Sequence, residues 1–137
     1  MFSIGQLSRA TGVKVTTIRY YEQQGLLAHQ GRSRGNQRRY SQAGLDRLNF
    51  IRHARDLGLS LGAIRALIRL EGKGGAACAD SHAIAEAHLK DVRDRIRRLK
   101  ALERELVRIR ESCDGKGDGP CSILTAFGDH GLCQGRH

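Results

Sequence analysis

The residues with the most specific chemistry in this chain are four cysteines and a cluster of arginines. Cys113 and Cys121 flank the loop Asp114-Gly-Lys-Gly-Asp-Gly-Pro120, whose three glycines and proline let it fold tightly and bring two thiolates together. The following segment, Ser122 to Phe127, reads as a short helix that lids the loop. Two thiolates select soft or borderline metals over hard ones. A third ligand permits trigonal or tetrahedral binding of a divalent ion, and Cys78 is the candidate. Each thiol alone reads as a small buried apolar residue; the three together, with this loop, point to a metal site. Cys133 lies in the tail Gly-Asp-His-Gly-Leu-Cys-Gln-Gly-Arg-His with His130 and His137, as an accessory metal site or, preferably, a disordered end. His82 and His88 read as surface or seam residues rather than ligands.

The arginines carry a second chemistry. Arg32, Arg34, Arg38 and Arg39 fall within eight residues of the segment Ala28–Tyr40, and guanidinium forks match phosphate oxygens in pairs. Two glycines and several polar turn formers make this segment a β-hairpin wing, with its tip at Arg34-Gly35-Asn36. The charge is also lopsided. Of a net +10 over 137 residues, residues 1–70 hold twelve cations against three acids, a net of +9, and the rest holds +1. That is the footprint of a polyanion-binding domain joined to a near-neutral partner-binding segment. No Ser/His/Asp arrangement, paired catalytic carboxylates or phosphate-cradling loop is present, so the chain does not read as an enzyme. The 4% aromatic content and absence of Trp argue against a large aromatic-lined pocket. No apolar run approaches the roughly 18 residues of a bilayer span, and the N-terminus lacks a signal-peptide layout. The expectation is a cytoplasmic protein with no membrane partner, whose cysteines are thiols.

The elements that position these residues are mainly helical. Ser3 caps a first helix with Ile4, Leu7 and Ala10 on one face, and Gly12 ends it. Thr16 or Thr17 opens a second, Thr-Thr-Ile-Arg-Tyr-Tyr-Glu-Gln-Gln, closed by Gly25. The pair forms a helix-turn-helix whose second helix can enter a DNA major groove. Ser41 caps a third helix to about Leu57, with Leu45, Leu48, Phe50, Ile51 and Ala54 as its apolar stripe. Ser60 caps a fourth, with Leu61, Ile64, Leu67 and Ile68 at helical spacing. Gly72-Lys73-Gly74-Gly75 is a joint.

From Asp80 or Ser81 the chain runs to Gly115 with neither Gly nor Pro, some 33 residues of helix and roughly 50 Å at the rise of an α-helix. Ala85, Leu89, Val92, Ile96, Leu99 and Leu106 repeat as a coiled-coil seam between charged flanks. Glu103 and Arg110 interrupt it, and Cys113 continues it. The partner for such a seam is the same helix of a second subunit. Cys78, just before the helix, and Cys113, at its end, lie at opposite ends within one chain. In an antiparallel dimer, Cys78 of one chain meets the Cys113/Cys121 pair of the other. The domain organisation that follows is 1–72 DNA-binding, 73–112 linker and dimerisation helix, and 113–137 metal-binding loop, short helix and tail.

The stretches Ile4–Leu27, Gly31–Tyr40 and Leu45–Ile68, with the long helix and terminal cysteine loop, resemble the MerR family of metal-sensing regulators over about residues 3–127. The segment Thr17-Ile-Arg-Tyr-Tyr-Glu22 and the spaced cysteines carry the likeness. It implies a mainly α fold: a winged helix-turn-helix, a long antiparallel dimerisation helix and a C-terminal metal-binding loop. It also implies a homodimer that represses its promoter without metal and, with metal, distorts the DNA so that RNA polymerase can start. Carried over by motif, Arg19 and Tyr20 of the second helix and Arg38 and Tyr40 of the wing contact DNA. Thr16, Arg32 and Arg34 complete the candidate interface, and Gln37 stands where the family has an aromatic. Members sensing Cu(I), Ag(I) or gold usually have Ser in place of Cys78, so this chain resembles the divalent branch. Zinc sensors add a Cys beside the first loop Cys and a loop His. Here Asp114 follows Cys113 and the loop has no His, which tilts the effector towards cadmium or lead, then mercury, with zinc still open. The seven-residue loop has the length found in the copper branch. A Cu(I)/Ag(I) sensor, a redox or organic-ligand sensor of the same fold, and a metal-buffering protein are the alternatives.

Overall fold

A computed structural model describes residues 1–29, 31, 34, 35, 37, 39–113, 115 and 121–128. The chain divides into two compact units, Met1–Ile84 and Ala85–His137. In order, its elements are β1 (Phe2–Ser3), α1 (Ile4–Thr11), α2 (Val15–Gln23), β2 (Arg39–Tyr40), α3 (Gln42–Asp56), α4 (Leu61–Arg69), α5 (Gly75–Glu111) and α6 (Ser122–Gly128).

The first unit begins with a reciprocal cap. The Ser3 hydroxyl accepts from the Gln6 amide at 3.2 Å, and the Gln6 side chain accepts from the Ser3 amide at 2.8 Å, satisfying two donors that a helix start leaves open. Gly12 ends α1 with φ 75°, and a Cβ there would meet the Arg52 guanidinium at 3.4 Å. Conformation and close approach both call for glycine. Thr11 at that turn is buried; its hydroxyl donates to the Leu7 carbonyl and accepts from the Val13 amide. On the inner face of α1, Thr11 takes the place foreseen for Ala10, which is exposed. Helix α2 starts at Val15, ahead of both threonines, and its N-cap Lys14 makes no side-chain cap.

The core of this unit gathers one face from each helix: Leu7 of α1, Ile18 of α2, Leu48 and Ile51 of α3, and Ile64 of α4 are fully buried. Each contributes about 1.5–3 kcal/mol through removal of apolar surface from water. Phe50 does not join them. It is 38% exposed, one position away from the inward stripe of α3. The Ser41 and Ser60 hydroxyls cap α3 and α4 as the sequence implies.

The wing departs from the simple hairpin. Arg34-Gly35 forms a turn, and the Arg39 amide donates to the Gly31 carbonyl at 3.0 Å across it. The strand that pairs with Arg39–Tyr40, however, is the N-terminal Phe2–Ser3, antiparallel, with Phe2 opposite Tyr40 and Ser3 opposite Arg39. Two-residue strands lack the length for an alternation signal, so this pairing is invisible in the sequence.

The long helix begins at Gly75, five residues ahead of Asp80. Gly74, at φ 73°, receives the Ala77 amide on its carbonyl, so the glycine joint itself starts the helix. Cys78 therefore lies in the first turn of α5 rather than before it. Ser81 is no cap; its hydroxyl donates back to the Ala77 carbonyl. In the second unit, Leu89, Ile96, Leu99 and Leu106 of the seam are exposed on the single chain, Leu99 at 63%, and Leu99 and Leu106 line a groove with Leu102 and Val107. Ile109 and Ala126 are buried there. Among the described residues no helix is long and apolar enough to cross a membrane.

Leu48→Ala opens a cavity at the centre of the first unit and lowers its unfolding free energy by about 2–5 kcal/mol. Urea denaturation followed by circular dichroism measures it; a loss below about 1 kcal/mol contradicts the central placement of Leu48.

Candidate functional site

Helix α2 buries Ile18 and Tyr21 against the core and thereby turns Thr16, Arg19 and Tyr20 outward, Tyr20 to 46% exposure. These three occupy positions i, i+3 and i+4, one continuous face. The Tyr20 ring lies 6.1 Å from Tyr21, tilted by 50°, which anchors it against a buried neighbour. Arg34 is exposed at the wing turn. Arg32 and Arg38 lie outside the described residues.

Tyr40 is a correction. Placed by motif at the DNA surface, it is fully buried, and its hydroxyl donates to the Glu22 carboxylate of α2. Pairing with β1 turns its side chain inward. Tyr40 fastens the root of the wing to the helix that carries Arg19 and Tyr20, and is not on the exposed face with them.

Several arginines counted in the basic half serve the fold. Arg52 donates to the Thr11 carbonyl at the end of α1, and Arg65 to the Gln24 carbonyl at the end of α2, at 2.8 Å. Both put a cation at the negative end of a helix dipole. Helix α2 has no basic residue in its own last turn, so Arg65 supplies it from 41 residues away. Arg55 donates to the Leu59 carbonyl, and Arg47 pairs with Glu71 at 2.7 Å. No sequence spacing announces such long-range caps.

The Cys113 side chain lies near enough to Cys121 to act on its thiol. Cys121 stands immediately before α6, and its carbonyl oxygen accepts from the Thr125 amide at 3.0 Å. The backbone N–H of Leu124, then that of Ile123, holds its thiol below the ordinary cysteine value; partial desolvation opposes this, and the Cys113 contact adds to it. The Cys113 sulfur accepts from the Gly115 amide at 3.3 Å. Cys78 is exposed in the first turn of α5, with His82 exposed one turn further on. Cys133 and His130 lie outside the described residues. Among the described residues, no three His, Cys, Asp or Glu side chains of one chain form a metal-sized group. One chain thus offers two thiols together and a third apart in sequence. Ser112 and Ser122 flank the two cysteines in the sequence, but nothing in it announces that these hydroxyls meet. Ser122 donates to the Ser112 carbonyl at 2.7 Å, tying the end of α5 to the start of α6.

The profile of MerR HTH family regulatory proteins matches residues 2–71, and that of MerR DNA-binding regions matches residues 45–109. This chain belongs to the MerR family. It is a helix-turn-helix transcriptional regulator and not an enzyme. The Escherichia coli K12 regulator ZntR is 41% identical over 131 residues, 93% of this chain and 92% of its own length. The mercuric resistance operon regulatory protein of Shigella flexneri is 36% identical over 134 residues, 96% of this chain and 92% of its own. Among solved structures, PbrR691 from Ralstonia metallidurans CH34, in complex with lead(II), superposes with a TM-score of 0.78 at 39% identity, covering 93% of this chain and 99% of that one. The mainly helical fold with its long helix is therefore that of MerR-family regulators.

Two outcomes test the geometry. Arg19→Ala flattens the dependence of log DNA affinity on log salt by about one unit per lost phosphate contact, whereas Arg65→Ala weakens the fold and leaves the slope unchanged. Equal slopes in both variants, in fluorescence anisotropy across a salt series, refute the division. The second concerns pH. A lowered thiol pKa means that the Cys121 thiolate persists to lower pH and is lost only as pH falls through that lowered value. The alkylation rate of Cys121 by iodoacetamide then has its midpoint below that of an ordinary thiol; a midpoint at or above it contradicts the N–H contacts.

Proposed function

We propose that this regulator binds promoter DNA as a homodimer, represses without metal, and activates by distorting the DNA when cysteine thiolates capture a soft divalent ion. The observation that carries this reading is the nearness of the Cys113 side chain to Cys121, beyond the end of a 37-residue helix whose first turn bears Cys78. The donor set fits such an ion: two thiolates on one loop, one of them made more acidic by backbone N–H groups, bind soft metals well. Helix α5 corresponds to about 55 Å of α-helical rise, so antiparallel pairing of two copies brings Cys78 of one subunit to the Cys113/Cys121 pair of the other. The exposed seam of Leu89, Ile96, Leu99 and Leu106 supplies the apolar surface for that pairing.

Three thiolates suit Cd(II), Pb(II) or Hg(II), with Zn(II) included if a fourth ligand joins. The lead(II) complex of PbrR691 and the mercuric resistance regulator, both similar over nine-tenths of this chain, support that set. Thr16, Arg19, Tyr20 and Arg34, with Arg32 and Arg38 of the wing, are the DNA contacts in this reading. RNA polymerase is the partner that reads the distorted promoter in the cytoplasm, where thiols remain reduced. Boundaries near residues 72 and 112 then separate the DNA-binding, dimerisation and metal-binding parts.

A monovalent sensor for Cu(I) or Ag(I) is the second reading, favoured by the two-thiol loop alone, since linear coordination needs no third ligand. Cys78 decides between them. Cys78→Ser, Cys113→Ser and Cys121→Ser each abolish induction by divalent metal in a promoter-reporter assay and leave DNA binding intact. Induction that survives Cys78→Ser but not the other two points to the monovalent reading, and normal induction in all three sinks the metal site.

A further inference from the structure

Each thiol of the loop has a serine as its neighbour on the outer side. Ser112 precedes Cys113, at the end of α5, and Ser122 follows Cys121, at the start of α6. Their side chains meet: Ser112 Oγ lies 2.6 Å from the Ile109 carbonyl, Ser122 Oγ lies 2.7 Å from the Ser112 carbonyl, and the two hydroxyl oxygens are 3.1 Å apart. Two hydroxyls carry two protons. The shorter distances assign both: Ser112 donates to Ile109, and Ser122 donates to Ser112. Both acceptors are carbonyls at or just past the C-terminal end of α5, where the regular helical pattern of amide donors runs out; the Ile109 carbonyl also receives the Ser112 amide at 3.2 Å. The hydrogen bond from Ser122 is thus a cross-brace that closes the loop one residue outside each cysteine.

We propose that Ser112 and Ser122 form a latch that positions the Cys113 and Cys121 thiols for one shared metal ion, Ser122 as the donor and Ser112 as its acceptor. They are positioning residues, since neither hydroxyl is needed as a ligand. The inference rests on the metal-binding reading above. Holding two ligands together before metal arrives removes part of the ordering cost of binding. Both serines are exposed, so water competes for these bonds and the effect is modest. Loss of one such bond, at the usual net worth of a hydrogen bond, corresponds to roughly a fivefold change in affinity.

The test uses the full-length protein and two readouts. Cd(II) titration, followed by thiolate-to-metal charge-transfer absorption, measures affinity in the wild type, Ser122→Ala and Ser122→Thr. Dibromobimane measures thiol apposition without metal: in a Cys78→Ser/Cys133→Ser background, Cys113 and Cys121 each displace one bromide, and fluorescence reports the bridged product. The latch predicts that Ser122→Ala weakens Cd(II) binding about fivefold and slows bridging relative to monoalkylation by a similar factor, and that Ser122→Thr restores both because it keeps the hydroxyl. Unchanged bridging and affinity in Ser122→Ala, or a loss that Ser122→Thr fails to restore, overturns the latch. A wild type that bridges in a Ser122-dependent way yet takes up no Cd(II) refutes the metal reading and, with it, the assignment of these serines to a metal centre, while showing that they do appose the thiols.

Discussion

An apolar stripe left uncovered among the described residues governs how this chain is put together. Leu89, Ile96, Leu99 and Leu106 stand out from a helix whose opposite flanks are dense in charge. Such a helix gains little from propensity alone, since most helical stability in proteins comes from burying an apolar face. Its length fixes where its ends can reach, and the chemistry of the chain sits at those ends: Cys78 in the first turn, and Cys113 and Cys121 after the last. If the stripe pairs antiparallel with another copy of itself, the covering of apolar surface and the completion of a three-thiol set become one event.

The first unit follows a different logic, in which small, local devices set the angle of one helix. The cap at Ser3, the left-handed Gly12 and the buried Thr11 shape the turn between α1 and α2. The Tyr40 hydroxyl on Glu22 ties α2 to the base of the wing. The exposed face of Thr16, Arg19 and Tyr20 is the remainder once Ile18 and Tyr21 have been buried. Presentation of that face is thus a by-product of packing, and no residue on it has to hold itself in place.

Much of this was legible from residue types. Ser3, Ser41 and Ser60 announced three helix starts because a hydroxyl before an apolar repeat has one dominant local use, and Leu48, Ile51 and Ile64 followed from helical period. What escaped were pairings across the chain. Tyr40 looked like a surface residue among arginines until β1, two residues long and with its partner Phe2 38 positions away, turned it inward. Gly75 looked like part of a linker, yet the alanines after it carry α5 back through Cys78. Ser112 and Ser122 looked like ordinary polar residues at a loop, since only the fold places one hydroxyl on the other's carbonyl.

The arginine caps at Thr11 and Gln24 have a consequence for how the protein responds to its ionic surroundings. A guanidinium bound to a neutral carbonyl keeps its full charge, so Arg52 and Arg65 brace the two helices and still add to the positive field of the unit. Dissolved salt screens that field over the distance of a Debye length, but it weakens a short, direct hydrogen bond to a carbonyl far less. The pull on a polyanion and the internal bracing therefore respond unequally to ionic strength. Rising salt therefore weakens attraction to a polyanion well before it weakens the bracing of the unit itself.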